Sequence, residues 1–193
     1  KKEGDVVTSA KQRLTVIGVE LPKQKIMHTE WMHADCLADY YHVDVFSEEH
    51  WKILENYFKE YVKRGCNMML TPLFTSPLDT AVGLERTTTQ LIKVEVVKGE
   101  YRFEFSELKR CIDLCKKCGI EYYEMSHLFS QWGAKYAPKV VAEVDGKEEK
   151  IFGWHTQAVG EYTRFLKAFL PQLIEKLKEW NIDQVTYFHI SDE

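Results

Sequence analysis

No stripe of Lys and Arg runs through this sequence. Charged residues make up 29% of the 193 and are mixed in sign, for a formal net charge of -4. A nucleic-acid partner, which needs a concentrated positive footprint, is therefore not expected. No apolar run approaches the roughly 18 residues that a membrane span requires, and no signal peptide opens the chain. The sequence begins at Lys1 and stops at Glu193, so it reads as a segment of a longer polypeptide. Its five cysteines (36, 66, 111, 115 and 118) are an odd set without a disulfide-like framework. That favours a reducing, cytoplasmic setting. No glycine fingerprint follows any strand-like stretch, which counts against dinucleotide binding. No cofactor and no metal are expected.

Aromatic residues, by contrast, are plentiful: 13% of the chain, with five Trp and ten Tyr. A flat ring covers the apolar face of a pyranose, so such a composition suits sugar binding; it equally suits a packed core. The hydrophobic fraction of 45% is ordinary for a globular protein. The length allows one domain with a sizeable core.

Hydrophobic patterning divides the chain into alternating units. Residues 1–13 are polar, and Leu14–Leu21 reads as a strand closed by Pro22. Residues 1–24 are thus a linker carrying the last strand of a preceding domain, and 25–193 a second unit. In that unit Ile26–Trp31, Asn67–Thr71, Ile120–Met125 and Gln184–Ile190 read as strands. Helices are expected from Ser47, whose hydroxyl can cap free N–H groups ahead of Glu48 and Glu49, to Gly65. Others are expected from Ser106 to Lys117, with Gly119 just past the end, and from Glu161 to Trp180. Two hairpins interrupt the series. One pairs Leu91–Val97 with Tyr101–Phe105 about Lys98-Gly99-Glu100; the other pairs Val140–Val144 with Lys150–Phe152 through Asp145-Gly146. Without them the order is strand, helix, strand, helix, strand, helix, strand. That alternation predicts an α/β fold with a parallel sheet. Four strands and three helices are about half of a (β/α)8 TIM barrel, which needs about 250 residues.

Parallel α/β folds place their chemistry where strands end at the C-terminal edge. Polar and aromatic residues recur there: His28, Trp31, His33 and Asp35 after the first strand, Leu73-Phe74-Thr75 after the second, and His127, Gln131 and Trp132 after the third. Trp154 and His155 precede the last helix, and the fourth strand ends in His189, Asp192 and Glu193. Any one of these is more often structural; the recurrence at one edge is the signal. Glycosidic cleavage needs a proton donor for the leaving oxygen and a group that stabilises an oxocarbenium-like carbon. The adjacent carboxylates Asp192 and Glu193 can shift each other's pKa, so that one stays protonated while its neighbour is ionised. Cys111-x3-Cys115-x2-Cys118 has a spacing also seen in iron–sulfur enzymes. Leu108, Cys111, Ile112 and Cys115 nonetheless make an apolar stripe at helical spacing, which predicts a buried helix face.

Five motifs in order, His28-Thr-Glu-Trp31 with Asp35, Gly65-Cys-Asn67 through Pro72-Leu-Phe-Thr75, His127-Leu-Phe-Ser-Gln-Trp-Gly133, Phe152-Gly-Trp154 and His189-Ile-Ser-Asp-Glu193, carry a resemblance. From about Lys25 to Glu193 the sequence resembles glycoside hydrolase family 123, whose catalytic region is also catalogued as domain of unknown function 4091. The resemblance implies a (β/α)8 barrel, often behind a β-sandwich domain, of which about the first four β/α units are present here. It implies retaining hydrolysis of terminal β-linked N-acetylgalactosamine, in which the sugar's own 2-acetamido oxygen attacks the anomeric carbon and forms an oxazolinium intermediate. Glu193 would then be the general acid/base and Asp192 would orient the acetamido group. His28, Trp31, Asp35, His127, Trp132, Trp154 and His189 would bind the substrate. Two other readings stand beside it: a non-catalytic carbohydrate-binding barrel, and a β-glycosidase of other specificity with a nucleophile from the missing half. The segment alone is expected to be inactive, and to self-associate or to pair with the rest of the barrel.

Overall fold

A computed structural model describes residues 9–20, 22, 25–78, 80–81, 83–131 and 133–190. Two sheets and four helices organise them. Helices α1 (Ala34–Tyr41) and α2 (Glu48–Lys63) lead to strand β1 (Met68–Thr71). The hairpin β2 (Lys93–Val97) and β3 (Glu100–Glu104) precedes α3 (Ser106–Cys118) and β4 (Tyr122–Met125). A second hairpin, β5 (Val140–Val144) and β6 (Lys147–Phe152), precedes α4 (Glu161–Glu179), a 3-10 turn at Asp183–Val185 and β7 (Thr186–Phe188).

Strands β1, β4 and β7 form a parallel sheet in that order, with Leu70 opposite Glu124 and Glu124 opposite Tyr187. Parallel neighbours need long crossovers; α3 lies in the first and α4 in the second. The helix ends follow the local chemistry. Ser47 caps α2 by accepting from the His50 N–H at 3.2 Å. Helix α3 differs from the expectation by one position: Ser106 is its first helical residue, not its cap. The Glu104 carboxylate takes the Ser106 N–H at 2.6 Å and its hydroxyl at 2.7 Å, placing negative charge at the positive end of the helix. Gly119 ends α3 at φ 95°, a left-handed turn that a side chain would strain.

Two expectations are corrected. Leu14–Glu20 forms no strand and is exposed, with Leu14 and Val16 more than 80% accessible. A strand exists only through its partners, and no neighbouring strand lies beside it among the described residues; Leu21 lies outside them. Ile26–Trp31 likewise runs without a regular ladder. It is held to β1 by one backbone carbonyl and one side chain. Asn67 and Met68 both donate N–H to the His28 carbonyl at 3.1 Å. The Asn67 amide accepts from the His28 N–H at 2.8 Å and donates to the Ile26 carbonyl at 3.1 Å. Tyr61 adds a third tie: its hydroxyl lies 2.7 Å from the Met68 carbonyl and 3.0 Å from that of Glu30, and accepts from the Glu30 N–H at 2.8 Å.

The two hairpins are not separate. Strands β2 and β5 pair in parallel and join them into one mixed sheet of order β3-β2-β5-β6. Its packing partner is α4, through an aromatic cluster of Tyr101, Phe103 and Phe152 against Tyr162, Phe165 and Phe169. Phe74, which follows β1, packs into the same group at a tilt of 59° to both Phe165 and Phe169. Phe165 and Phe169 are fully buried, and burying a side chain of this size contributes about 1.5–3 kcal/mol. Helix α2 packs on α3, with Trp51, Leu54 and Phe58 in one core with Cys111, Ile112 and Cys115. Cys111 and Cys115 thus fill the buried helix face that the sequence stripe predicts, and burial pushes the Cys115 thiol well above its ordinary value.

Candidate active site

At the C-terminal edge of the parallel sheet, three segments converge. Trp31 leaves the first segment, His127 follows β4, and His189 follows β7. The two imidazole rings lie face to face, with centroids 3.8 Å apart and planes inclined by 32°. The Trp31 indole stands edge-on to both, 5.3 Å from His127 at 86° and 5.5 Å from His189 at 74°. The loop after β4 is tied down: Ser126 donates its N–H to the Thr71 carbonyl at 2.9 Å, and its hydroxyl accepts the Leu73 N–H at 3.1 Å. Beneath the ring cluster lies Glu124, on the central strand and 6% exposed. Its Oε2 accepts from the Trp31 indole N–H at 3.1 Å, and its Oε1 lies 3.0 Å from His189 Nδ1. Sequence reading passes over Glu124. It sits inside an apolar strand pattern, and only its place opposite two other chain segments marks it.

The other expected residues are distributed. Asp35 is the second residue of α1 and faces Arg86, which donates through Nε at 2.7 Å and Nη2 at 3.0 Å. Arg86 also donates to the Leu78 carbonyl and to Cys36 Sγ, so it ties α1 to the turn-rich stretch between β1 and β2. His28 lies at the opposite end of β1 from Trp31's cluster, beside Glu30 and Cys66. Trp154 packs edge-on against Tyr136, with centroids 5.9 Å apart, and donates its indole N–H to the Leu84 carbonyl at 3.0 Å. Trp132, Asp192 and Glu193 lie outside the described residues. Among the described residues no group of three or more His, Cys, Asp and Glu is arranged to hold a metal ion. No helix among them is long and apolar enough to cross a membrane.

The family model for the catalytic domain of glycoside hydrolase 123 matches residues 31–193. The chain belongs to glycoside hydrolase family 123. A solved structure from Clostridium perfringens, a family 123 glycoside hydrolase described in connection with glycolipid glycan hydrolysis, superposes with a TM-score of 0.64 at 20% identity. The match covers 84% of this chain and 29% of that one, so the chain spans under a third of that enzyme's length. No curated protein matches.

Proposed function

We propose that this chain supplies about the first four units of a (β/α)8 barrel that removes terminal β-linked N-acetylhexosamine, most simply N-acetylgalactosamine, with retention. In this reading the sugar's 2-acetamido oxygen is the nucleophile. Asp192 holds the acetamido N–H and offsets the positive charge of the oxazolinium. Glu193 protonates the leaving oxygen and then activates water. The observation that carries the reading is the convergence of Trp31, His127 and His189 at the C-terminal edge of a parallel sheet, within a chain of this family. Asp192 follows His189 by three residues in the sequence, and in this reading the carboxylate pair works at the same edge as the ring cluster. Trp31 keeps 38% of its surface accessible, enough for a sugar face to stack on it.

A substrate panel on the full-length protein tests this. A chromogenic β-N-acetylgalactosaminide should be turned over, the matching 2-hydroxy galactoside should not, and a thiazoline analogue of the intermediate should inhibit. Turnover of the 2-hydroxy sugar without thiazoline inhibition would assign the nucleophile to a protein side chain. Sugar binding without any turnover would make the protein a carbohydrate-binding barrel.

A further inference from the structure

Glu124 is the one charged residue of β4, and it is buried at the centre of the parallel sheet. A carboxylate in such a place is costly unless hydrogen bonds replace its water. Here each oxygen takes one partner, and the two partners come from chain segments 93 and 65 residues away. The indole N–H of Trp31 can only donate. A carboxylate can only accept, so the hydrogen in the second bond belongs to Nδ1 of His189. A neutral imidazole protonated at Nδ1 carries its acceptor lone pair on Nε2. Because His189 stacks on His127 and Trp31 stands edge-on to both, one carboxylate sets the angle of the indole and, through His189, the plane of the ring pair.

We propose that Glu124 is a positioning residue of this site, which fixes His189 as the Nδ1–H tautomer and Trp31 at its edge-on angle. The ring so fixed has its acceptor on Nε2, the polarity that receives a hydrogen bond from a sugar hydroxyl. The proposal rests on the glycosidase reading only for its activity measurement; the tautomer is a property of the protein itself.

Glu124→Gln gives a sharp test, because an amide keeps the size and reverses half the polarity. Its oxygen must face the Trp31 donor, so its NH2 faces His189 Nδ1, and the ring proton has to move to Nε2. Nitrogen-15 spectra of the full-length protein with labelled histidine, assigned by loss of signals in His189→Gln, read this directly. In the wild type, Nδ1 of His189 should resonate in the protonated range. In Glu124→Gln it should shift to the range of a bare ring nitrogen. Turnover, measured as kcat/KM, should fall about tenfold or more. A bare Nδ1 in the wild type would overturn the proposal without any variant, which also covers the case that Glu124→Gln fails to fold. An unchanged tautomer in a folded Glu124→Gln would overturn it too, as would a switched tautomer with unchanged kcat/KM. A wild type that hydrolyses no glycoside would instead count against the proposed function, and the tautomer measurement would still decide this point.

Discussion

Arg86 grips Asp35 at two points, 2.7 and 3.0 Å, with side chains only 10% and 8% exposed. A buried pair of this kind is strongly asymmetric under mutation. Removing one partner strands the other charge, which costs about 3–5 kcal/mol. Arg86→Met and Asp35→Ala should each cause a loss of that order in denaturant unfolding. The double variant should lose clearly less than the sum of the two. Additive losses would mean that the pair is not a unit.

Catalysis gives the second prediction. In the full-length protein, Glu193→Gln should nearly abolish turnover of substrates with poor leaving groups and spare an activated aryl glycoside, which needs less protonation. Asp192→Asn should lower kcat more than it raises KM, the pattern of an interaction made in the transition state. Equal activity of Glu193→Gln and wild type on both substrates would remove Glu193 from the chemistry.

Acid should weaken the protein in two windows. His50 accepts the Phe46 N–H at 2.9 Å on Nδ1 and lies 3.0 Å from the Ala34 carbonyl on Nε2. Burial holds its pKa below the ordinary 6.5, against the pull of the Ala34 carbonyl and Asp35. The unfolded chain then binds the proton more readily, so stability is full above about pH 6.5 and declines as pH falls below it. Glu55 pairs with Lys59 and Lys117, which hold its pKa at about 2 instead of 4.5. Its contribution is present above pH 4.5 and disappears as pH falls towards about 2. Thermal melts of His50→Gln and Glu55→Gln against pH check both. Each variant should lack its own window and keep the other.

Thiol labelling of the native protein should rank the cysteines by burial. Cys36 is exposed and should react first, whereas Cys66, Cys111 and Cys115 are buried and should wait for unfolding. Anaerobically purified protein should contain no stoichiometric iron. Iron with sulfide and a visible charge-transfer band would overturn the reading of α3 as a packed helix.

A last prediction concerns Tyr61. Its hydroxyl bridges the exposed Glu30 backbone and the part-buried Met68 carbonyl, so Tyr61→Phe removes these bonds at about 1 kcal/mol, water replacing the hydroxyl at Glu30. Hydrogen exchange should quicken at Glu30 before it does in β4.

The helices were legible because their signals are local. Ser47 ahead of two acids, Gly119 after an apolar stripe, and a 3.6-residue period along α4 all act within one element. What escaped depends on distance along the chain. The parallel pairing of Glu95 with Glu143 and of Val96 with Val144 joins hairpins that look independent. Nothing near Glu124 announces Trp31 or His189. Helix α1 was also missed: its eight residues have no side-chain cap and are held by Asp35 and by the His42 turn. At the site, the sequence singled out Trp31, His127 and His189, which the fold brings together. It also named Asp35, whose partner Arg86 lies in a stretch that read only as turns.

The mixed sheet has a consequence for how the chain folds. Each hairpin closes over a few residues and can form in about 1–10 μs. The β2–β5 seam spans 48 residues, from Glu95 to Glu143, and encloses α3 and β4. Loop closure over that length is entropically unfavourable until the enclosed unit is compact. The seam should therefore close late, as the step that commits both excursions to α4. A chain stalled before it would carry two bare strand edges, and its failure mode would be sticking to a second copy of itself.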